Sequence, residues 1–196
     1  ESRVTGHGSR QLRQAPGIIA SGNREGTIAP KDRRYFGIGQ GNLRATTLQV
    51  ANSFAAIARG GLYKPPRLFS SCVEKNTQYA IRNTQYGLNI SPQTLAVIYD
   101  GTGAVVNEPG GTAYKEFAPV LAGLAEQGVM VYGKTGSTEE PDNAWFAGFA
   151  KDSTGRAIAI AVLVEGGQHG SSDAAPIGRD IIQFCIEAGY IGGTPR

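Results

Sequence analysis

A chain of 196 residues is long enough for one domain or the larger part of one, and its 40% hydrophobic residues can supply a core. With 28 glycines and 10 prolines it is rich in turns without a collagen pattern, and a net charge of +3 is too small to argue for nucleic acid. No apolar run approaches the roughly 18 residues of a membrane span.

Residues 1–36 are polar and basic, with Arg3, Arg10, Arg13, Arg24, Lys31, Arg33 and Arg34 set among Gly and Pro. No periodicity is sustained, so this segment is expected to be an irregular basic arm or loop with a solvated surface. The chain begins at Glu1 rather than methionine. Sequence is therefore expected upstream, and the absence of a leader or anchor here says nothing about the whole protein. Gly37-Ile38-Gly39-Gln40-Gly41-Asn42 has no strand before it, and the next acidic residue is Glu74, too distant for a ribose-binding carboxylate. The run reads better as a tight turn feeding a helix.

That helix is expected from Thr46 or Thr47 to Arg59, with Leu48, Ala51, Ala55 and Ala58 on one face and Gly60-Gly61 as its stop. Residues 62–69 form a short strand-like piece broken by Pro65-Pro66. Ser91-Pro92 starts a second helix, which continues across Gly101 towards Val106 until Asn107-Glu108-Pro109-Gly110-Gly111 breaks it. A third helix covers about 114–126. Three strands follow in series over 129–135, 144–150 and 157–164, joined by turn-forming residues, and read as an antiparallel meander. A last helix spans about 173–188, stopped by Gly189, with Ile177, Ile181, Phe184 and Cys185 expected to pack on the sheet. The fold class is therefore α+β, an antiparallel sheet with packed helices.

The two cysteines, Cys72 and Cys185, form no C-x-x-C pattern, and the sequence leaves open whether they pair. His7 and His169 sit far apart beside glycines and are read as surface residues. No metal site and no cofactor are implied.

The chemistry-bearing run is Lys134-Thr135-Gly136-Ser137-Thr138, at the end of the apolar strand Val129-Met130-Val131-Tyr132-Gly133. Lysine brings a positive charge and three donors, threonine a directional hydroxyl, and glycine lets another backbone lie close. Residues 128–135 also fit the phosphate-loop pattern G-x-x-x-x-G-K-T. Its variable positions are Val, Met, Val and Tyr, which favour strand over loop. Pro141 forbids a long helix after it, so the order is helix, strand, turn, the reverse of a phosphate cradle.

Taken together, these segments resemble the penicillin-binding transpeptidases. The resemblance is carried by Ile38-Gly39-Gln40-Gly41 and the helix after it, by Val105-Val106-Asn107-Glu108-Pro109-Gly110-Gly111-Thr112-Ala113, and by Lys134-Thr135-Gly136. It continues through Ala144-Trp145-Phe146-Ala147-Gly148-Phe149 and Ala174-Ala175-Pro176-Ile177. It runs in order over about residues 37–192 and looks most like a class B enzyme of the elongation type. The family's nucleophile is the serine of Ser-x-x-Lys, and no Ser-x-x-Lys occurs in this chain. Ser21-Gly22-Asn23 matches Ser-x-Asn in letters but lies too close to Gly39. Residues 37–196 thus look like the C-terminal portion of a transpeptidase domain, part of the penicillin-binding protein and serine β-lactamase-like fold.

The resemblance implies a peptidoglycan D,D-transpeptidase that cross-links stem peptides and is acylated by β-lactams, with this chain inactive alone. Lys134 would be catalytic, setting the electrostatics and assisting proton transfer. Thr135 and Ser137 would bind the substrate carboxylate, and Gly136 would let the peptide align along the strand. The Ser137 backbone N–H would be one of two oxyanion donors, and Trp145 would stiffen the site or pack at its rim. Implied partners are peptidoglycan stem peptides, β-lactam antibiotics, the missing N-terminal half of the domain and other cell-wall synthesis proteins. The implied location is the cell envelope, on the extracytoplasmic face of the cytoplasmic membrane. Two alternatives stand beside this: a β-lactamase or β-lactam sensor of the same superfamily, and a non-catalytic envelope binding module.

Overall fold

Apolar runs in the second half of the chain call for strands, and the computed structural model builds three of them. It describes residues 18–19, 30–40, 43–66, 85–139 and 141–193. The chain divides into two units, Glu1–Thr46 and Thr47–Arg196.

In the first unit, β1 (Ile18–Ile19) pairs antiparallel with β2 (Leu43–Arg44). Between them lies α1 (Pro30–Phe36), where the sequence reading expected only irregular chain. The helix is legible after the fact. Pro30 brings a φ already suited to a first turn, and Arg33 and Arg34 sit where the helix dipole favours cations. Seven residues are too few to show a period.

The second unit opens with α2 (Thr47–Ala58), whose buried residues are Ala56 and Ala58, while Leu48 is exposed. Gly60 and Gly61 adopt φ of +71° and +90° and donate to Ile57 and Ala56 carbonyls, closing the helix as expected. β3 (Leu62–Tyr63) pairs with β4 (Tyr86–Gly87), the rings of Tyr63 and Tyr86 stacking at 4.8 Å. The rest of the expected 62–69 strand includes 67–69, outside the described residues. α3 (Pro92–Asn107) starts where Ser91 Oγ accepts the Thr94 N–H at 3.1 Å, and it does cross Gly101. α4 (Tyr114–Glu126) follows.

β5 (Val129–Thr138), β6 (Asn143–Asp152) and β7 (Ala157–Glu165) form an antiparallel sheet in the order β5-β6-β7. Its register pairs Gly133 with Gly148, Thr135 with Phe146, and Phe146 with Val162. Because side chains alternate, Val131, Gly133, Thr135, Phe146, Ala150, Ile160 and Val162 share one face. That face meets Phe117 and Leu124 of α4 and Ile182 of the last helix, all in one buried core. The opposite face carries Tyr132 and Phe149, stacked at 4.6 Å, with Tyr99 of α3 edge-on to both. Tyr99 donates its hydroxyl to the Ile57 carbonyl at 3.1 Å, which ties α3 to the end of α2. The sheet is thus covered on both sides, as the α+β reading requires.

A π-helical turn, Gly170–Ala174, leads into α5 (Ala175–Glu187). The expected packing face of this helix is wrong. Ile177, Ile181 and Phe184 are exposed at 43%, 42% and 63%, and Cys185 is only half-buried. The buried residues are Ala175, Gly178 and Ile182. The reason is room. A Cβ on Gly178 would run into the Phe146 ring, so the helix turns the face of Ala175, Gly178 and Ile182 inward, with Gly178 against the ring, and Ile177, Ile181 and Phe184 outward.

The chain end is pinned by one carboxylate. Asp152, 5% exposed, accepts the Thr154 hydroxyl at 2.7 Å, the N–H groups of Thr154, Arg156 and Gly192, and the Arg156 Nε at 2.9 Å. Arg156 in turn donates to the Gly192 carbonyl at 2.8 Å. Burial alone would raise this carboxyl, but the bonds from Thr154, Gly192 and Arg156 outweigh it and hold it at about 2, against 3.8 for the free group.

Two outcomes follow. Ile182→Ala should cost about 2–5 kcal/mol of stability, while Ile181→Ser should change it by about 0.5 kcal/mol or less, as read from denaturant melts. A loss at Ile181 as large as that at Ile182 would mean that the Ile177–Ile181–Phe184 face is buried as well. Because Asp152 titrates lower folded than unfolded, its contribution is complete above the free-group value and is lost as pH falls through 3.8 towards 2. Asp152→Asn should melt lower than wild type at neutral pH and lose less on acidification through that window. Parallel pH profiles of the two melting temperatures would exclude this role.

Candidate functional site at the end of strand β5

Burial along β5 alternates, and the alternation separates the motif residues. Lys134 is exposed and Gly136 half-buried on the face shared with Tyr132, while Thr135 is buried on the core face with Ser137 exposed beyond it. Lys134 Nζ donates to the Thr135 carbonyl at 2.6 Å, so the ammonium stays at the strand end. The Thr135 hydroxyl lies 2.6 Å from the hydroxyl of Thr112, in the loop between α3 and α4. Ser137 Oγ accepts the Gly170 N–H at 3.3 Å. Trp145, half-buried, faces Gly136 across the ladder, with its Cβ 3.4 Å from where a Gly136 Cβ would stand.

The backbone of this strand end points outward. Asn107 at the end of α3 donates its side-chain N–H to the Val131 carbonyl at 2.8 Å, so that carbonyl faces away from β6. Backbone groups alternate with a period of two in an antiparallel pair. The amides of Thr135 and Ser137 therefore face the same outer edge, and the Lys134 bond to the Thr135 carbonyl agrees. Among the described residues β5 pairs only with β6, so its last residues present the Ser137 N–H at the outer edge, with the Thr135 and Ser137 hydroxyls on one face and Lys134 on the other.

The turn before α5 backs this end. Asp173 Oδ2 accepts the N–H groups of Gln168 at 2.8 Å and His169 at 3.1 Å, and Oδ1 accepts the Ser172 hydroxyl at 2.7 Å. The Ser172 bond first, then the two backbone bonds, hold this carboxyl below the usual carboxylate range. Gly170 is seated against the backbone of Gly136 and Trp145, where a Cβ would overlap the carbonyl oxygens of both.

The four expected site residues are thus consecutive on one edge strand, with Lys134 on the face opposite the Thr135 and Ser137 hydroxyls. The phosphate-loop alternative fails on the same ground: residues 129–132 are paired strand, not loop. His7, Ser21 and Cys72 lie outside the described residues. Cys185 carries a free thiol that burial pushes up. His169 takes part through its backbone N–H. Among the described residues no three His, Cys, Asp or Glu side chains converge as metal ligands. Sequence reasoning missed Thr112, Gly170 and Asp173 as parts of this site. The sequence starts the last helix near Asp173, yet its carboxylate folds back onto Gln168 and His169. No local pattern places Thr112 beside Thr135.

Comparison with known proteins adds the following. The model of the penicillin binding protein transpeptidase domain matches residues 6–183. Peptidoglycan D,D-transpeptidase PbpA of Mycobacterium tuberculosis (strain ATCC 25618 / H37Rv) is 31% identical over 186 residues, covering 83% of this chain and 34% of that protein. The structure of the PBP2–MreC complex from Helicobacter pylori aligns with a TM-score of 0.59 at 25% identity, over 82% of this chain and 28% of that one. The structure of penicillin-binding protein A from M. tuberculosis, an imipenem acyl-enzyme complex, aligns with a TM-score of 0.50 at 27% identity, over 78% and 34%. The chain therefore spans about a third, or less, of the length of these relatives.

Proposed function

The chain belongs to the penicillin-binding protein transpeptidase family, its relatives over most of its length include the class B, elongation-type members PbpA and PBP2, and from that premise we propose that it forms one wall of a D,D-transpeptidase site. The whole protein would cleave a D-alanyl-D-alanine bond in one peptidoglycan stem peptide and pass the acyl group to an amine on another. β-Lactams would acylate the same site. The observation that carries this reading is the end of β5, where consecutive residues give an outward Ser137 N–H, the Thr135 and Ser137 hydroxyls on one face and Lys134 on the other.

Each group has a role its chemistry suits. The Ser137 N–H would donate to the oxyanion of the tetrahedral intermediate, where a fixed donor is worth most. The two hydroxyls would donate to the carboxylate of the peptide end. Lys134 would supply positive charge near that carboxylate and assist proton transfer to the leaving group. Gly136 would let the peptide lie along the strand edge, adding to it as a further strand. The attacking serine and its lysine are not in this chain, so residues 37–196 are assigned to the C-terminal portion of the domain, with 1–36 leading into it. A location at the cell envelope goes with cell-wall substrates, and other cell-wall synthesis proteins are its expected partners.

The test is acylation by a fluorescent penicillin. In the complete protein, Lys134→Ala should slow acylation about 100-fold or more, the scale of a lost electrostatic group, with little change in melting temperature. The 196-residue chain should form no adduct by mass spectrometry, having no Ser-x-x-Lys. An unchanged rate in the variant, or a stoichiometric adduct on the chain alone, would overturn the assignment.

A further inference from the structure

The two hydroxyls of the β5 end are each met from outside the strand, by residues 23 and 33 positions away. At Ser137 the direction of the bond is fixed. The partner is the Gly170 N–H, which can only donate, so Ser137 Oγ accepts and its own proton is not used in that bond. At Thr135 the partner is another hydroxyl, Thr112, and either atom could be the donor. The ligand decides between them. A carboxylate can only accept, so a hydroxyl that serves it must donate its single proton outward and take its own bond from behind.

We propose that Thr112 and Asp173 are positioning residues of this site: Thr112 donates to Thr135, and Asp173 holds the turn that lets Gly170 donate to Ser137, so that both hydroxyls keep their protons for an anionic ligand. The inference rests on the reading of the β5 end as the carboxylate-binding wall of a transpeptidase. The Asp173 part is built into the turn. Its carboxylate accepts the two N–H groups just before Gly170, and its own N–H donates to the His169 carbonyl at 2.9 Å, so the segment is closed from both ends. Gly170 has no lateral freedom, because the Gly136 and Trp145 backbone fills the space of its missing Cβ. Loss of Asp173 therefore frees the turn where it touches the motif. Loss of the Thr112 hydroxyl leaves Thr135 to bond elsewhere, most simply by donating to the nearest backbone carbonyl, which takes its proton from the ligand.

Two conservative pairs separate this role from general packing. Thr112→Val keeps shape and removes the donor, and Thr112→Ser keeps the donor. Asp173→Ala removes the acceptor of both N–H groups, and Asp173→Asn keeps one acceptor oxygen for them. In the complete protein, Thr112→Val and Asp173→Ala should each slow acylation by a fluorescent penicillin about tenfold, with Thr112→Ser and Asp173→Asn within about twofold of wild type. In a Thr135→Ala background, Thr112→Val should slow it no further. In the 196-residue chain, Asp173→Ala should speed amide-proton exchange at Gly170 and Asp173→Asn should not, a reading independent of any reaction. Equal effects of Val and Ser at 112, additive losses with Thr135→Ala, or unchanged exchange at Gly170 would each overturn the inference. Slowing by Lys134→Ala without slowing by Thr112→Val would sink the inference alone. No slowing by either would sink the transpeptidase reading beneath it.

Discussion

The structure depends on one aromatic ring and the two places that make room for it. Phe146 is wholly buried at the centre of the sheet. A Cβ on Gly133 would lie 2.7 Å from its ring, and one on Gly178 would overlap it. Neither glycine has a positive φ, so both are there for space and not for backbone freedom. Gly133 lets β5 lie flat beneath the ring, and Gly178 lets α5 descend onto it. Phe117 of α4 closes the remaining side, ring centroids 5.5 Å apart. A buried Phe of this kind is worth about 3–5 kcal/mol against Ala, a large share of the stability of a small domain. Since Gly133 immediately precedes Lys134, the contact that seats the ring also sets where the motif begins.

From that point the placement of the site is a matter of parity. Side chains on β5 alternate between the core face and the Tyr132 face, while backbone groups alternate between β6 and the outer edge. With Gly133 against Phe146, Thr135 falls on the core face and Lys134 on the Tyr132 face. With the Val131 carbonyl turned outward to Asn107, the Ser137 amide turns outward too. A one-residue slip would reverse both assignments, moving Lys134 into the core and the Ser137 N–H into the ladder. The ten-residue register against β6 and the Asn107 bond therefore act together to specify which groups a ligand would meet.

Much of this was legible in the sequence where short-range rules apply. Ser91-Pro92, Gly60-Gly61 and the three apolar runs each announce an element through local chemistry, and the elements stand where expected. The last helix was misread for a definite reason. Ile177, Ile181 and Phe184 fall on one helical face, yet packing against a ring demanded the face that carries Gly178, together with Ala175 and Ile182. Hydrophobic periodicity weighs size and cannot see that a neighbouring ring already fills the space. Thr112 and Asp173 were invisible for another reason. Their meaning lies in contacts 23 residues away and in a π-helical turn, and no local spacing encodes either.

The electrostatics of the turn bear on how such a site would behave with pH. Asp173 is held below the usual carboxylate range, so it is ionised throughout the neutral region and its two backbone bonds persist there. The Gly170 donor is then a constant of the fold and not a switch. Donors that are already in place when charge develops need no reorganisation at that moment, which is where their catalytic value lies. On this argument the Ser137 side of the site is preorganised by elements wholly within the chain.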